Sequence, residues 1–70
     1  MTVNIKEDFI KLDSLLKLSG IAYTGGHAKV LILDGAVKVN GEVCTARGKK
    51  IRPSDVVLVE NTEIKVVTKN

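Results

Sequence analysis

At seventy residues the chain has room for one domain at most, spanning residues 1–70. With a single cysteine, Cys44, and a single histidine, His27, it can form neither an internal disulfide nor a self-contained four-ligand zinc site. An aliphatic core of Ile, Leu and Val must therefore hold the fold, since Phe9 and Tyr23 are the only aromatic residues. The formal net charge of +3 is unevenly spread. Met1–Val37 balances Lys6, Lys11, Lys17 and Lys29 against Glu7, Asp8, Asp13 and Asp34 and is neutral. Lys38–Arg52 sets Lys38, Arg47, Lys49, Lys50 and Arg52 against Glu42 alone, for +4. Pro53–Asn70 sets Lys65 and Lys69 against Asp55, Glu60 and Glu63, for −1. All the excess positive charge falls in one short segment, the footprint of a surface for a polyanion. Met1–Asp8 is polar and mixed in charge, without the apolar stretch of a secretory leader. The apolar run Val30–Leu33 is far short of the ~20 residues of a membrane span. Together with the free thiol, which suits a reducing compartment, these features give the expectation of a cytoplasmic protein without membrane or small-molecule partners; oligomeric state is left open, a monomer being favoured.

In chain order, Thr2–Lys6 alternates Val3 and Ile5 with polar neighbours and reads as a short strand. Phe9 and Ile10 lead into a first helix, with Asp13 or a near neighbour as its cap. Leu12, Leu15, Leu16 and Ile21 supply its buried stripe, Leu18 is a further candidate, and Gly20 is the stop signal. Thr24 is the N-cap of a second helix whose first turn holds Gly25, Gly26 and His27, and Ala28, Leu31 and Ile32 share one face. Asp34-Gly35 ends it, giving a helix-turn-helix-like pair. The period then becomes alternating. Val37, Val39 and Val43 are expected to point one way, and Asn40-Gly41 is a hairpin signal, because a type I′ turn needs positive φ at both positions. Thr45–Lys50 reads as a basic loop, and Ile51 as the point where pairing resumes. Pro53-Ser54-Asp55 is turn chemistry, Val56–Val59 a buried strand, Asn61-Thr62 a turn, and Ile64, Val66 and Val67 a last strand before a frayed Lys69-Asn70. The expectation is an α+β fold: two short helices packed on a small, mainly antiparallel sheet of about four to five short strands.

Residues Leu12–Val59 resemble the ribosomal-protein S-four-type RNA-binding domain, or αL motif. The resemblance rests on Lys11-Leu12-Asp13-Ser14-Leu15-Leu16, the Thr24 cap and Ala28-Lys29-Val30-Leu31-Ile32. It continues through Gly35-Ala36-Val37-Lys38-Val39-Asn40-Gly41, then Lys49-Lys50-Ile51 and Asp55-Val56-Val57. Thr24–Lys29 with Arg47-Gly48-Lys49-Lys50-Ile51 is similar to the small stand-alone bacterial branch of that family, the YaaA/YbcJ type. The resemblance implies a non-enzymatic protein that binds structured RNA, including ribosomal RNA, and needs no cofactor. Many members carry Ser-Arg where this chain has Thr24-Gly25, so an arginine that often contacts phosphate is absent.

The residues expected to bind RNA are Lys11, Thr24, Gly25, Gly26, His27, Lys29, Lys38, Asn40, Arg47, Lys49, Lys50 and Arg52. Lys and Arg attract phosphates and release condensed counterions, and Arg47 and Arg52 can hold phosphate oxygens in a bidentate fork. At Thr24–His27, unpaired amides and the helix dipole favour an anion, and the two glycines permit close approach. The same glycines equally suit a tightly packed connection. His27 reads as an exposed polar residue that can also donate to a phosphate. Tyr23 either stacks on a base or staples the second helix to the core. Cys44 reads as a half-buried small residue and Asn40 chiefly as a turn former. No paired carboxylates, no Ser/His/Asp set, no P-loop and no dinucleotide fingerprint are present, which leaves no catalytic residue and no metal or cofactor site to assign. Two other readings use the same basic face: docking of an acidic protein partner, and binding of duplex DNA by the helix pair.

Overall fold

The structure, a computed structural model, describes residues 1–68; the expected fraying of Lys69 and Asn70 lies outside the described residues. In chain order the elements are β1 (Thr2–Ile5), β2 (Ile10–Lys11), α1 (Leu12–Leu18), α2 (Gly25–Leu33), β3 (Val37–Val39), β4 (Glu42–Val43), β5 (Lys50–Ile51), β6 (Val56–Val59) and β7 (Thr62–Thr68). Five strands form one sheet in the order β1-β7-β6-β3-β4, and β2 and β5 form a separate antiparallel pair. Pairing in the main sheet is antiparallel except between β1 and β7, which run parallel with Val3 opposite Val66.

The pleat decides which residues are buried. Val3, Ile5, Val37, Val39, Val57, Val59, Ile64 and Val66 join Leu12, Leu15 and Leu16 of α1, Ala28 and Ile32 of α2, and Ala22 and Ile51 in one core. Both helices are thus packed on the sheet, as their apolar spacing requires. Burying each Leu or Ile contributes about 1.5–3 kcal/mol. Gly20 and Gly35, at φ 84° and 80°, take the left-handed conformation that stops each helix. Asn40 and Gly41, at φ 51° and 89°, form the expected two-residue turn between β3 and β4.

Several local expectations are corrected. The N-cap of α1 is Lys11, which offers no side-chain bond. Asp13 lies inside the first turn, where its Oδ1 accepts the Ser14 N–H at 2.7 Å. The orphan N–H groups of Leu12 and Asp13 instead donate to the carbonyls of Lys49 and Arg47, at 2.9 and 3.1 Å. A distant loop therefore supplies what a local cap would have supplied. Ile10 is not simply a lead-in to α1 but pairs with Ile51. Leu18 is 61% exposed and does not extend the buried stripe, while Ile21 is half-buried. Val43 faces away from Val37 and Val39, because the two-residue turn sets it opposite Lys38. The last turn falls at Glu60-Asn61, with Thr62 already paired to Val59.

Candidate nucleic-acid interface

The basic segment is fixed through its backbone, which leaves its side chains free. By accepting the first N–H groups of α1, the carbonyls of Arg47 and Lys49 hold the loop against the helix. The Lys49 N–H closes a tight turn onto the Ala46 carbonyl at 3.1 Å. Next along, Lys50 pairs directly with Lys11 across the β2–β5 ladder, and both are exposed. Like charges set opposite each other on a ladder are destabilising. Phe9 offsets part of that cost: its ring centroid lies 4.9 Å from the Lys50 Nζ and 5.9 Å from the Arg52 Cζ. Lys11, Arg47, Lys49, Lys50 and Arg52 are thereby gathered at the N-terminal end of α1. Phe9 was absent from the expected site, since only the β2–β5 pairing brings it beneath these cations.

A latch orders the neighbouring hairpin. The Asp55 carboxylate accepts the Arg52 N–H at 2.8 Å and the Asn40 Nδ2 at 3.1 Å. The Asn40 Oδ1 in turn accepts the Val56 N–H at 2.9 Å. Each polar end of the exposed Asn40 side chain thus makes one bond within the protein. The Arg52 amide bond does most to hold the Asp55 carboxyl below its ordinary value; burial opposes it, and the Asn40 bond and the charges of Lys49 and Arg52 add to the lowering. Between the hairpin and the basic loop lies a cleft of about 640 Å³, with Lys49, Lys50 and Arg52 on one wall and Asn40, Glu42 and half-buried Cys44 on the other.

The other expected residues lie at and after the start of α2 and on β3. The Ala22 N–H bonds to the Leu16 carbonyl at 3.0 Å, so the link into α2 folds back on α1. Thr24 caps α2 as expected, its Oγ1 accepting the His27 N–H at 3.0 Å. A Cβ added at Gly25 would meet nothing within 4 Å, and one at Gly26 only the Thr24 Oγ1 at 3.8 Å. Packing of the connection therefore does not require these glycines. His27 is half-buried, and its Nδ1 accepts the Tyr23 N–H at 3.2 Å. Tyr23 is 85% exposed, which overturns the staple to the core. Lys29 and Lys38 are exposed on α2 and β3, and Lys38 shares its sheet face with Val43, which lines the cleft beside the basic loop.

Residues 3–67 of this α+β unit, two helices on a five-stranded sheet, match the S4 domain, and the chain belongs to that family. Among its relatives is the "Putative RNA-binding protein YbcJ" of Escherichia coli, 37% identical over 62 residues that cover 89% of each chain. Another is the "Probable ribosome maturation protein RlbA" of Bacillus subtilis, 36% identical and covering 83% of this chain and 82% of that one. The solution structure of YbcJ, described as an αL motif involved in RNA binding, superposes with a TM-score of 0.74 at 36% identity, covering 94% of this chain and 85% of that one. Among the described residues no helix is long and apolar enough to cross a membrane.

Proposed function

We propose that the chain acts as one non-enzymatic RNA-binding domain that recognises structured RNA, ribosomal RNA foremost, in the cytoplasm. The observation that carries this reading is the cationic cluster at α1, above all the directly opposed Lys11 and Lys50. A protein keeps a costly like-charge pair where a polyanion neutralises it. Arg47, Lys49 and Arg52 extend the cluster, and a backbone anchored to α1 lets them meet phosphates without reordering the loop. The open amides of Gly25 and Gly26 support a second phosphate contact at the start of α2, in place of the arginine that many family members carry there. The likeness to proteins named for RNA binding and ribosome maturation supports the choice of RNA, and of ribosomal RNA, as partner.

The test is binding to a structured RNA, a single-stranded RNA and a DNA duplex across a salt series. The expected result is preference for structured RNA, with log affinity falling by about 0.7–0.9 per decade of salt for each phosphate contacted. Lys49→Glu with Lys50→Glu should abolish retention at moderate salt. Equal and weak binding to all three nucleic acids, indifferent to those two substitutions, would sink the reading in favour of an acidic protein partner.

A further inference from the structure

Tyr23 is the one large aromatic surface that neither the core nor the basic cluster uses. The residue is 85% exposed, an unusual place to leave so much apolar area. It is also held in place. One face stacks on His27, with ring centroids 5.6 Å apart and planes 24° from parallel. The Tyr23 N–H donates to the His27 Nδ1, and the His27 N–H donates to the Thr24 Oγ1. These bonds fix the backbone of one ring to the side chain of the other. The stack covers one face of Tyr23 and leaves the outer face open to an incoming planar group.

We propose that Tyr23, backed by His27, is a stacking platform for one unpaired nucleobase of the bound RNA. The proposal rests on the RNA-binding reading and deepens it by naming what part of the RNA is met at the start of α2. The surroundings favour a nucleotide over a protein side chain. No acidic residue occupies the first turn of α2, so its positive end is not neutralised. Nothing crowds Gly25 or Gly26, leaving room for a sugar-phosphate beside the ring. Exposed Lys29 lies further along the same helix. The cationic cluster gathered by α1, β2 and β5 would hold the backbone of an RNA stem, while the platform takes a base flipped out of that stem. Base-to-aromatic stacking is worth about 1–3 kcal/mol and tolerates any base, since every base has a π-face. This platform therefore selects unpaired over paired RNA, not one sequence over another.

Tyr23 is the sole tyrosine and the chain has no tryptophan, so its intrinsic fluorescence reports on this ring alone. The probes are a hairpin with unpaired loop nucleotides and a fully paired RNA duplex of equal length. Quenching by the hairpin beyond that by the duplex is expected. Tyr23→Leu, followed by the anisotropy of labelled RNA, should lower hairpin affinity about tenfold, leave duplex affinity and the melting temperature unchanged, and be rescued by Tyr23→Trp. An unaltered hairpin-to-duplex ratio in Tyr23→Leu overturns the platform, as does equal quenching by both RNAs. If that ratio is unaltered while Lys49→Glu and Lys50→Glu still abolish binding, stacking alone is lost. If the wild-type chain retains neither RNA, the RNA reading falls and takes the platform with it.

Discussion

Asp55 carries more of the site than its modest burial suggests. Its two carboxylate oxygens hold the Arg52 amide and the Asn40 side chain, which ties the basic segment to the hairpin tip. Bonds to a carboxylate are each worth about 1.5–3 kcal/mol when nothing replaces them, and less where water can substitute. The lowered pKa gives a pH signature whose sign is fixed. A carboxyl that loses its proton more readily in the folded chain adds stability above the unfolded value. That contribution fades as pH falls through the folded value, which lies below the ordinary 3.8. Asp55→Asn is therefore expected to be less stable than the parent near neutral pH, by about 1 kcal/mol. The two should converge as the medium is acidified below the ordinary carboxylate range. Urea unfolding across that range is the measurement, and a gap that persists undiminished at the acid end would show that the charge of Asp55 is not what matters.

At the scale of elements, what the sequence revealed was local. The Thr24 cap, the Asn40-Gly41 turn and the glycine stops each act within four residues, so their chemistry is written in adjacent letters. The elements that build the interface are not local. Nothing near Leu12 or Asp13 indicates that their amides are satisfied by Lys49 and Arg47, and a plausible side-chain cap, Asp13, was in view. The pairing of β2 with β5 is only two residues long, too short for any periodic signal, yet it sets Lys11 against Lys50 and brings Phe9 beneath them. Of the residues expected to bind, the basic ones at the loop were legible as a charge excess; their assembly with Lys11 was not. Val43 was misplaced because alternation was counted through the turn, whereas a two-residue turn reverses the chain and puts Val43 beside Lys38. The start of α2 offers a prediction at this scale. With open space around Gly26, Gly26→Ala should stabilise the helix by a few tenths of a kcal/mol and raise the melting temperature. If an RNA phosphate seats on those amides, the added methyl group should at the same time weaken RNA binding severalfold. A variant that is more stable and binds as well as the parent would remove that phosphate contact while leaving the basic cluster in place.

For the molecule as a whole, the interface rests on a small core with little to spare. A chain of this size, with a single cysteine and so no internal disulfide, has a total stability on the order of 3–5 kcal/mol. Leu16 is fully buried among α1, α2 and the sheet, and truncating a buried leucine to alanine typically costs 2–5 kcal/mol. Leu16→Ala should therefore leave a large fraction of the chain unfolded at room temperature, read by circular dichroism. Ligand linkage turns this into a test of function. RNA that binds only the folded chain adds RT ln(1 + [RNA]/Kd), about 2.7 kcal/mol at a hundredfold excess over Kd. Structured RNA at low salt should then restore the helical signal of Leu16→Ala. Raising the salt should remove the rescue, because the phosphate contacts weaken while the hydrophobic deficit in the core does not. The same variant carrying Lys49→Glu and Lys50→Glu should not be rescued at any salt concentration. If RNA restores that triple variant as well, the stabilising contacts lie outside the cluster that α1, β2 and β5 assemble.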